Sequence, residues 1–107
     1  MTQLIPAVNS NDHRFGNSAA PLELVEYGDY ECPYCGRAYP IVKDLQRKLG
    51  SEMIYVFRNF PLSKIHVHAF SAAVATEAAG MQNKFLEMHH LIFENQNALD
   101  DENIFRF

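Results

Sequence analysis

The spacing of apolar positions changes several times along the chain, and each change marks an element. Leu22, Leu24, Val25 and Tyr27 fall in a short run bounded by Pro21 and Gly28, which predicts a β-strand over 22–27. From Pro33 to Leu49 the period turns helical. Cys35, Ala38, Tyr39, Val42, Leu45 and Leu49 share one face, and Lys43, Gln46, Arg47 and Lys48 take the other. The cations suit the negative C-terminal end of the helix dipole, and Gly50 stops the helix. Pro40 lacks an N–H and crowds the Gly36 carbonyl, so a bend is expected there. Met53 to Phe57 is apolar on both faces, as buried parallel strands are. Strand, helix and strand in this order predict a right-handed βαβ unit with parallel pairing.

Two helices should follow. The first runs from about His68 to Ala79, with Phe70, Val74 and Ala78 on one face and Gly80 as its stop. The second is capped by Asn83 and turns Phe85, Met88, Leu91 and Ile92 inward. A last helix opens at Asp100-Asp101-Glu102, where acidic side chains favour a helix N-terminus. It reaches Phe107 with an apolar face established by Ile104 and Phe105 and no cap, the pattern of a truncated domain. Phe57, Phe60, Phe70, Phe85 and Phe93 are expected in the core, with Met81 and Met88 as filler. Pro6, Asn9, Ser10, Asn11, Asp12, Gly16, Asn17 and Ser18 make residues 1–20 a turn-rich lead-in to a domain over 21–107. Two parallel strands alone would leave a bare edge, so self-association through strand edges is expected.

At 107 residues, 48% of them apolar, the chain is one small domain able to build a core. A net charge of −4 without a basic cluster argues against nucleic acid and anionic membranes as partners. No apolar run approaches the ~18 residues of a spanning helix. The first six residues have neither a basic nor an apolar leader region, so a cytoplasmic location is expected; a removed leader would instead imply a periplasmic or extracytoplasmic one.

The cysteines narrow the chemistry. There are two, Cys32 and Cys35, in Cys32-Pro33-Tyr34-Cys35 at the passage from strand to helix. A single close pair in a chain with an adequate core points to chemistry or a metal rather than a structural staple. At i, i+3 on a first helical turn the two thiols are near enough to bond. Cys32 faces the unpaired N–H groups and positive dipole end, whereas Cys35 is shielded one turn inside. An exposed low-pKa nucleophile and a buried resolving thiol result. Pro33 suits the first helical position, and with Tyr34 it tunes the thiolate. Tyr30 and Tyr34 flank the pair and are expected to contact substrate. Glu26 shares a strand face with Leu22 and Leu24; a half-buried carboxyl there would have a raised pKa and could shuttle a proton for Cys35, unless it is simply an exposed strand glutamate. Zinc would need two more ligands, and His13, His66, His68, His89 and His90 offer no finger spacing, so neither metal nor cofactor is expected.

The stretch Leu24-Val25-Glu26-Tyr27-Gly28-Asp29-Tyr30-Glu31-Cys32-Pro33-Tyr34-Cys35 resembles the active-site strand and turn of DsbA-like thiol oxidoreductases in the thioredoxin superfamily. Phe57-Arg58-Asn59-Phe60-Pro61-Leu62, then Ile65-His66-Val67-His68-Ala69 and Lys84-Phe85-Leu86-Glu87-Met88-His89, continue the likeness over roughly 12–107. It is nearest to thioredoxin-like domains found alone or fused to sodium/proton antiporters. The resemblance implies an α/β, thioredoxin-like fold with a helical insertion, and thiol–disulfide oxidoreduction on protein substrates. It also implies that Glu26 assists the buried thiol, and Pro40 matches the bend of such active-site helices. Where the family reads His-Pro-His, this chain has His66-Val67-His68, and only a local change in the loop is expected. The family's cis-proline loop, C-terminal hairpin and last helix have no counterpart, so a nucleophile without its docking groove, and low activity, are expected. A glutaredoxin-like, glutathione-dependent reductase and a redox-sensing or assembly module of a larger protein are the alternatives. The Phe-Arg-Asn-Phe and His-Val-His contexts speak against the first.

Overall fold

The computed structural model describes residues 6–106. Its elements are β1 (His13–Gly16), β2 (Leu22–Gly28), α1 (Pro33–Leu49), β3 (Met53–Asn59), α2 (Ala69–Gly80), α3 (Phe85–Glu94) and α4 (Asp101–Arg106). The sheet order is β1-β3-β2. β3 pairs parallel with β2, Leu22 opposite Met53 through to Gly28 opposite Asn59, as the βαβ pattern predicts. Met53 to Phe57 is buried throughout, because this strand is central and covered on both faces.

The third strand lies within the stretch expected to be a turn-rich lead-in, so the sheet is not the bare pair of strands that the sequence suggested. β1 pairs antiparallel with β3, His13 opposite Phe57 and Gly16 opposite Ile54. Side-chain anchoring outweighs its weak strand pattern. Arg58 donates to both carboxylate oxygens of Asp12 at 2.8 Å, His13 stacks on Phe85 at 3.7 Å, and Phe15 packs against Tyr55 and Phe85. Gly16 closes the strand at φ 118, where a Cβ would come within 2.8 Å of the Met53 carbonyl oxygen.

The helices differ from expectation mainly in which faces they bury. α2 turns Ala69, Ala72, Ala73 and Thr76 inward, leaving Phe70 61% and Val74 50% exposed. The helix is apolar around its whole circumference, so periodicity does not choose a face; small side chains let it approach α3 closely, and the bulky ones stay outside. There they line an open groove of about 740 Å³ with Met88, Leu91 and Ile104. Phe60, Leu91 and Met81 are likewise exposed rather than core. Asn83 does not cap α3. It takes a left-handed φ of 60° in the turn after α2, whose last residue is Gly80, and α3 begins after Lys84 without a side-chain cap. The core gathers Tyr30, Tyr55, Phe57, Ala72, Phe85, Ile92, Phe93, Leu99 and Ile104 between sheet and helices. His89, polar by type, lies buried among its rings.

Candidate active site

β2 delivers the chain to the site and α1 carries it away. At Gly28 the backbone passes over the ring of buried Phe57, where any Cβ would overlap ring carbons Cε2 and Cζ. The next residues dive inward. Asp29 is buried, its Oδ1 accepting from the Glu31 N–H at 2.8 Å and its Oδ2 from the Leu62 N–H at 2.9 Å; Oδ2 also pairs with His66 Nδ1 at 2.7 Å. The His68 N–H donates to Glu31 Oε1 at 2.8 Å, so the loop after β3 is stitched to the turn before the cysteines.

Tyr30 is fully buried, not the substrate-facing residue expected from its place beside the cysteines. Its ring lies 5.1 Å from Phe57 and 4.7 Å from Phe93, and its hydroxyl pairs with His89 Nδ1 at 2.8 Å. An amphipathic ring fills the gap between sheet and α3, and one buried histidine satisfies its polar tip. Tyr34, by contrast, is 74% exposed, with the Arg37 guanidinium 4.6 Å from its ring centre.

Cys32 is the N-cap residue of α1, extended at φ −72° and ψ 124°, with Pro33 opening the helix and the Gly36 N–H bonding the Cys32 carbonyl at 3.0 Å. Its own N–H donates to the Asp29 carbonyl at 3.1 Å. Cys35 sits one turn inside. Both cysteines are partly buried and unbonded. Burial pushes the Cys35 thiol up to about 11; a backbone hydrogen bond at Asp29 opposes this, while the charges of Cys32 and Glu26 and a hydrogen bond with Cys32 add to it.

Glu26 is half-buried, and the Tyr55 hydroxyl donates to its Oε1 at 2.6 Å. Burial raises its carboxyl above the ordinary range, and the Tyr55 bond pulls the other way without prevailing. The structure therefore brings together Cys32, Cys35, Pro33 and the glutamate that the strand pattern singled out. Sequence reasoning missed three contributors: Asp29, Tyr55 and Gln96. Gln96, just past α3, donates from Nε2 to the Tyr30 carbonyl at 3.0 Å and the Cys32 carbonyl at 2.7 Å. A polar-tipped ring in the middle of a buried strand signals a partner requirement that Tyr55 could have announced; nothing local marks Gln96. Among the described residues no group of three or more His, Cys, Asp or Glu is placed to hold a metal ion. Among them, too, no helix is long and apolar enough to cross a membrane.

A strand ending in a two-cysteine turn at a helix start, with a carboxyl near the inner cysteine, defines a thioredoxin-fold domain. The sequence model of the thioredoxin family matches residues 8–104, and the chain belongs to that family. Among curated proteins it is 44% identical over 104 residues to Na(+)/H(+) antiporter NhaA 1 of Mycolicibacterium vanbaalenii, covering 97% of this chain and 17% of that protein. It is 45% identical over 96 residues to Na(+)/H(+) antiporter NhaA 1 of Salinispora arenicola, covering 90% and 15%. The chain thus spans under a fifth of these relatives. Among solved structures, a thioredoxin-like oxidoreductase from Silicibacter pomeroyi superposes with a TM-score of 0.82 at 28% identity, covering 92% of this chain and 55% of that one. The thiol-disulfide exchange protein alpha-DsbA2 from Wolbachia pipientis, at TM-score 0.80 and 22% identity over 92% and 52% of the two chains, shares the fold.

Proposed function

We propose that this domain exchanges disulfides with protein substrates, Cys32 acting as nucleophile, Cys35 as resolving thiol and Glu26 as proton acceptor, with Pro33 and Tyr34 tuning the pair. The observation that carries this reading is the inequality of the two thiols: Cys32 at the helix start, and Cys35 one turn inside, pushed up to about 11 by burial with the half-buried Glu26 carboxyl adding to it. In the reducing direction the Cys32 thiolate attacks a substrate disulfide. That S–S bond breaks, a Cys32–substrate S–S bond forms, and one substrate sulfur leaves as thiolate. Glu26 then takes the Cys35 proton and the Cys35 sulfur attacks Cys32. The second substrate thiolate leaves, and two electrons have passed from the cysteine pair to the substrate. The reverse sequence oxidises a substrate dithiol.

Replacing Cys35 by serine should trap the substrate on Cys32 as a stable mixed disulfide visible by mass spectrometry; an adduct that still turns over, or none at all, overturns the assignment. A glutathione requirement would point instead to the glutaredoxin-like alternative. A second reading, a redox module of a larger protein that reports state without turnover, is favoured by the small share of the antiporter relatives that this chain covers. Stoichiometric but not catalytic consumption of substrate disulfide would support it. The outer edge of β2 has no paired strand among the described residues, and two copies would associate through it; a concentration-independent monomer in sedimentation would exclude that.

A further inference from the structure

The turn that presents Cys32 is held from two sides. Asp29, within the turn, ties it to Leu62 and His66 of the loop after β3, and Gln96 holds it from the helical insertion. Gln96 spends both amide hydrogens on this turn: Nε2 donates to the Tyr30 carbonyl at 3.0 Å and to the Cys32 carbonyl at 2.7 Å, on either side of Glu31. The side chain reaches them only because residue 36 is glycine. A Cβ at Gly36 would run into Gln96 Oε1, with Cδ 2.8 Å and Nε2 2.9 Å away, so the amide lies close against the first turn of α1. Gln96 is itself anchored. Asn95 Nδ2 donates to the Leu91 carbonyl at 2.7 Å, the Ala98 N–H donates to the Asn95 carbonyl at 2.8 Å, and Leu99 is buried in the core.

The Cys32 carbonyl is also the first acceptor of the α1 ladder, receiving the Gly36 N–H at 3.0 Å. An oxygen with two donors, one from the helix and one from outside it, is fixed in position, and with it the Cys32 peptide plane and the backbone from which the thiol projects. We propose that Gln96 is a positioning residue for disulfide exchange, one that sets the reactivity of Cys32 from the insertion, with Gly36 as the notch that admits it. This rests on Cys32 being the nucleophile. Apart from the sheet and α1, the insertion then has a chemical part to play: shifts of α3 or of the 95–99 turn reach the thiol through a single amide.

The test compares Gln96→Met, which keeps the packing volume over Gly36 but donates nothing, with Gln96→Ala, which loses both. Loss of one or two neutral hydrogen bonds predicts about a tenfold change in the equilibrium constant with glutathione, towards the more reducing side, which is about 30 mV for a two-electron couple. Cys32 alkylation at pH 7 should slow several-fold in both variants. Chemical denaturation run in parallel reports stability, which the methionine variant should largely retain. If methionine restores wild-type potential and alkylation while alanine does not, Gln96 acts only by packing and the proposal fails. A wild-type protein that exchanges no disulfide at all refutes the function reading instead, so the two failures are distinct.

Discussion

The assignment of Glu26 as proton acceptor yields the sharpest quantitative expectation. With its thiol pushed up to about 11, Cys35 is ionised to only about one part in 10⁴ at pH 7. Unaided, resolution of a mixed disulfide on Cys32 would be slowed by that factor. A general base positioned beside the thiol recovers about 10²- to 10⁴-fold. Replacing Glu26 by glutamine keeps the shape and removes the base, so release of the mixed disulfide should slow by about 100-fold or more at pH 7, while alkylation of Cys32 changes little. The pH profiles separate as well. Glu26 accepts a proton only when ionised, and burial raises its carboxyl above the ordinary value, so the wild-type rate should climb as pH rises through that raised value and then level off. In the glutamine variant the rate should keep climbing towards the Cys35 ionisation at about 11. Stability should move the opposite way. A folded-state pKa above the unfolded one contributes stability that is present below the unfolded pKa and lost as pH rises through the folded one. The variant should therefore resist urea better than wild type at pH 7, with the advantage vanishing in acid. The assay is single-turnover release from a preformed mixed disulfide, quenched by acid and counted by mass spectrometry. Release rates within twofold of wild type across the pH range would refute the role.

Two further expectations concern the packing behind the site. His89 is buried and its imidazole is pushed down to about 3, chiefly by burial, so the unfolded chain takes up a proton below the ordinary histidine value while the folded chain refuses it until about 3. Its contribution is present above the unfolded pKa and lost as pH falls through that window; His89→Gln, which can still bond Tyr30, should remove on the order of a few kcal/mol of the acid-induced loss, measured by urea titrations at stepped pH. Gly28→Ala places a methyl into the Phe57 ring and 3.3 Å from Glu26 Oε2. It should cost about 1–3 kcal/mol in denaturant unfolding and displace the pH profile of resolution; an unchanged melting midpoint would contradict the packing described here.

How much of this was legible in the sequence depends on how far apart the cooperating residues lie. β2, α1 and β3 follow from local period, and Cys32, Cys35 and Glu26 from spacing along one strand and its following turn. β1 was hidden because its strand character comes from partners far along the chain, Phe57 on β3 and Phe85 on α3, rather than from its own four residues. The inward face of α2 was unreadable for a different reason: a helix apolar all round carries no phase, and packing distance decides which side chains are admitted. Tyr30 was misplaced because adjacency to a reactive residue says nothing about direction. The turn folds inward at Gly28, and only the three-dimensional path shows that position 30 lies beneath the site and position 34 on top of it.

Burial holds the Glu26 carboxyl above the ordinary range, and the Tyr55 hydroxyl limits that rise without reversing it. A cationic partner for Glu26 would lower its carboxyl by about 1–3 units and leave it a weak proton acceptor. A phenol donates a hydrogen bond without supplying charge, and the Tyr55 hydroxyl, itself pushed well above the ordinary range by burial and by Glu26, does not ionise in competition. Desolvation of Glu26 therefore exceeds the stabilisation of its charged form, and the net shift stays upward. Removing only that hydroxyl, in Tyr55→Phe, should raise the Glu26 carboxyl further and shift the acid limb of the resolution profile to higher pH, by about one unit for a bond to a charged acceptor. Because β3 keeps its ring at position 55, the fold should tolerate the change. An acid limb that moves to lower pH, or stays in place, would mean that Tyr55 does not tune the carboxylate it touches.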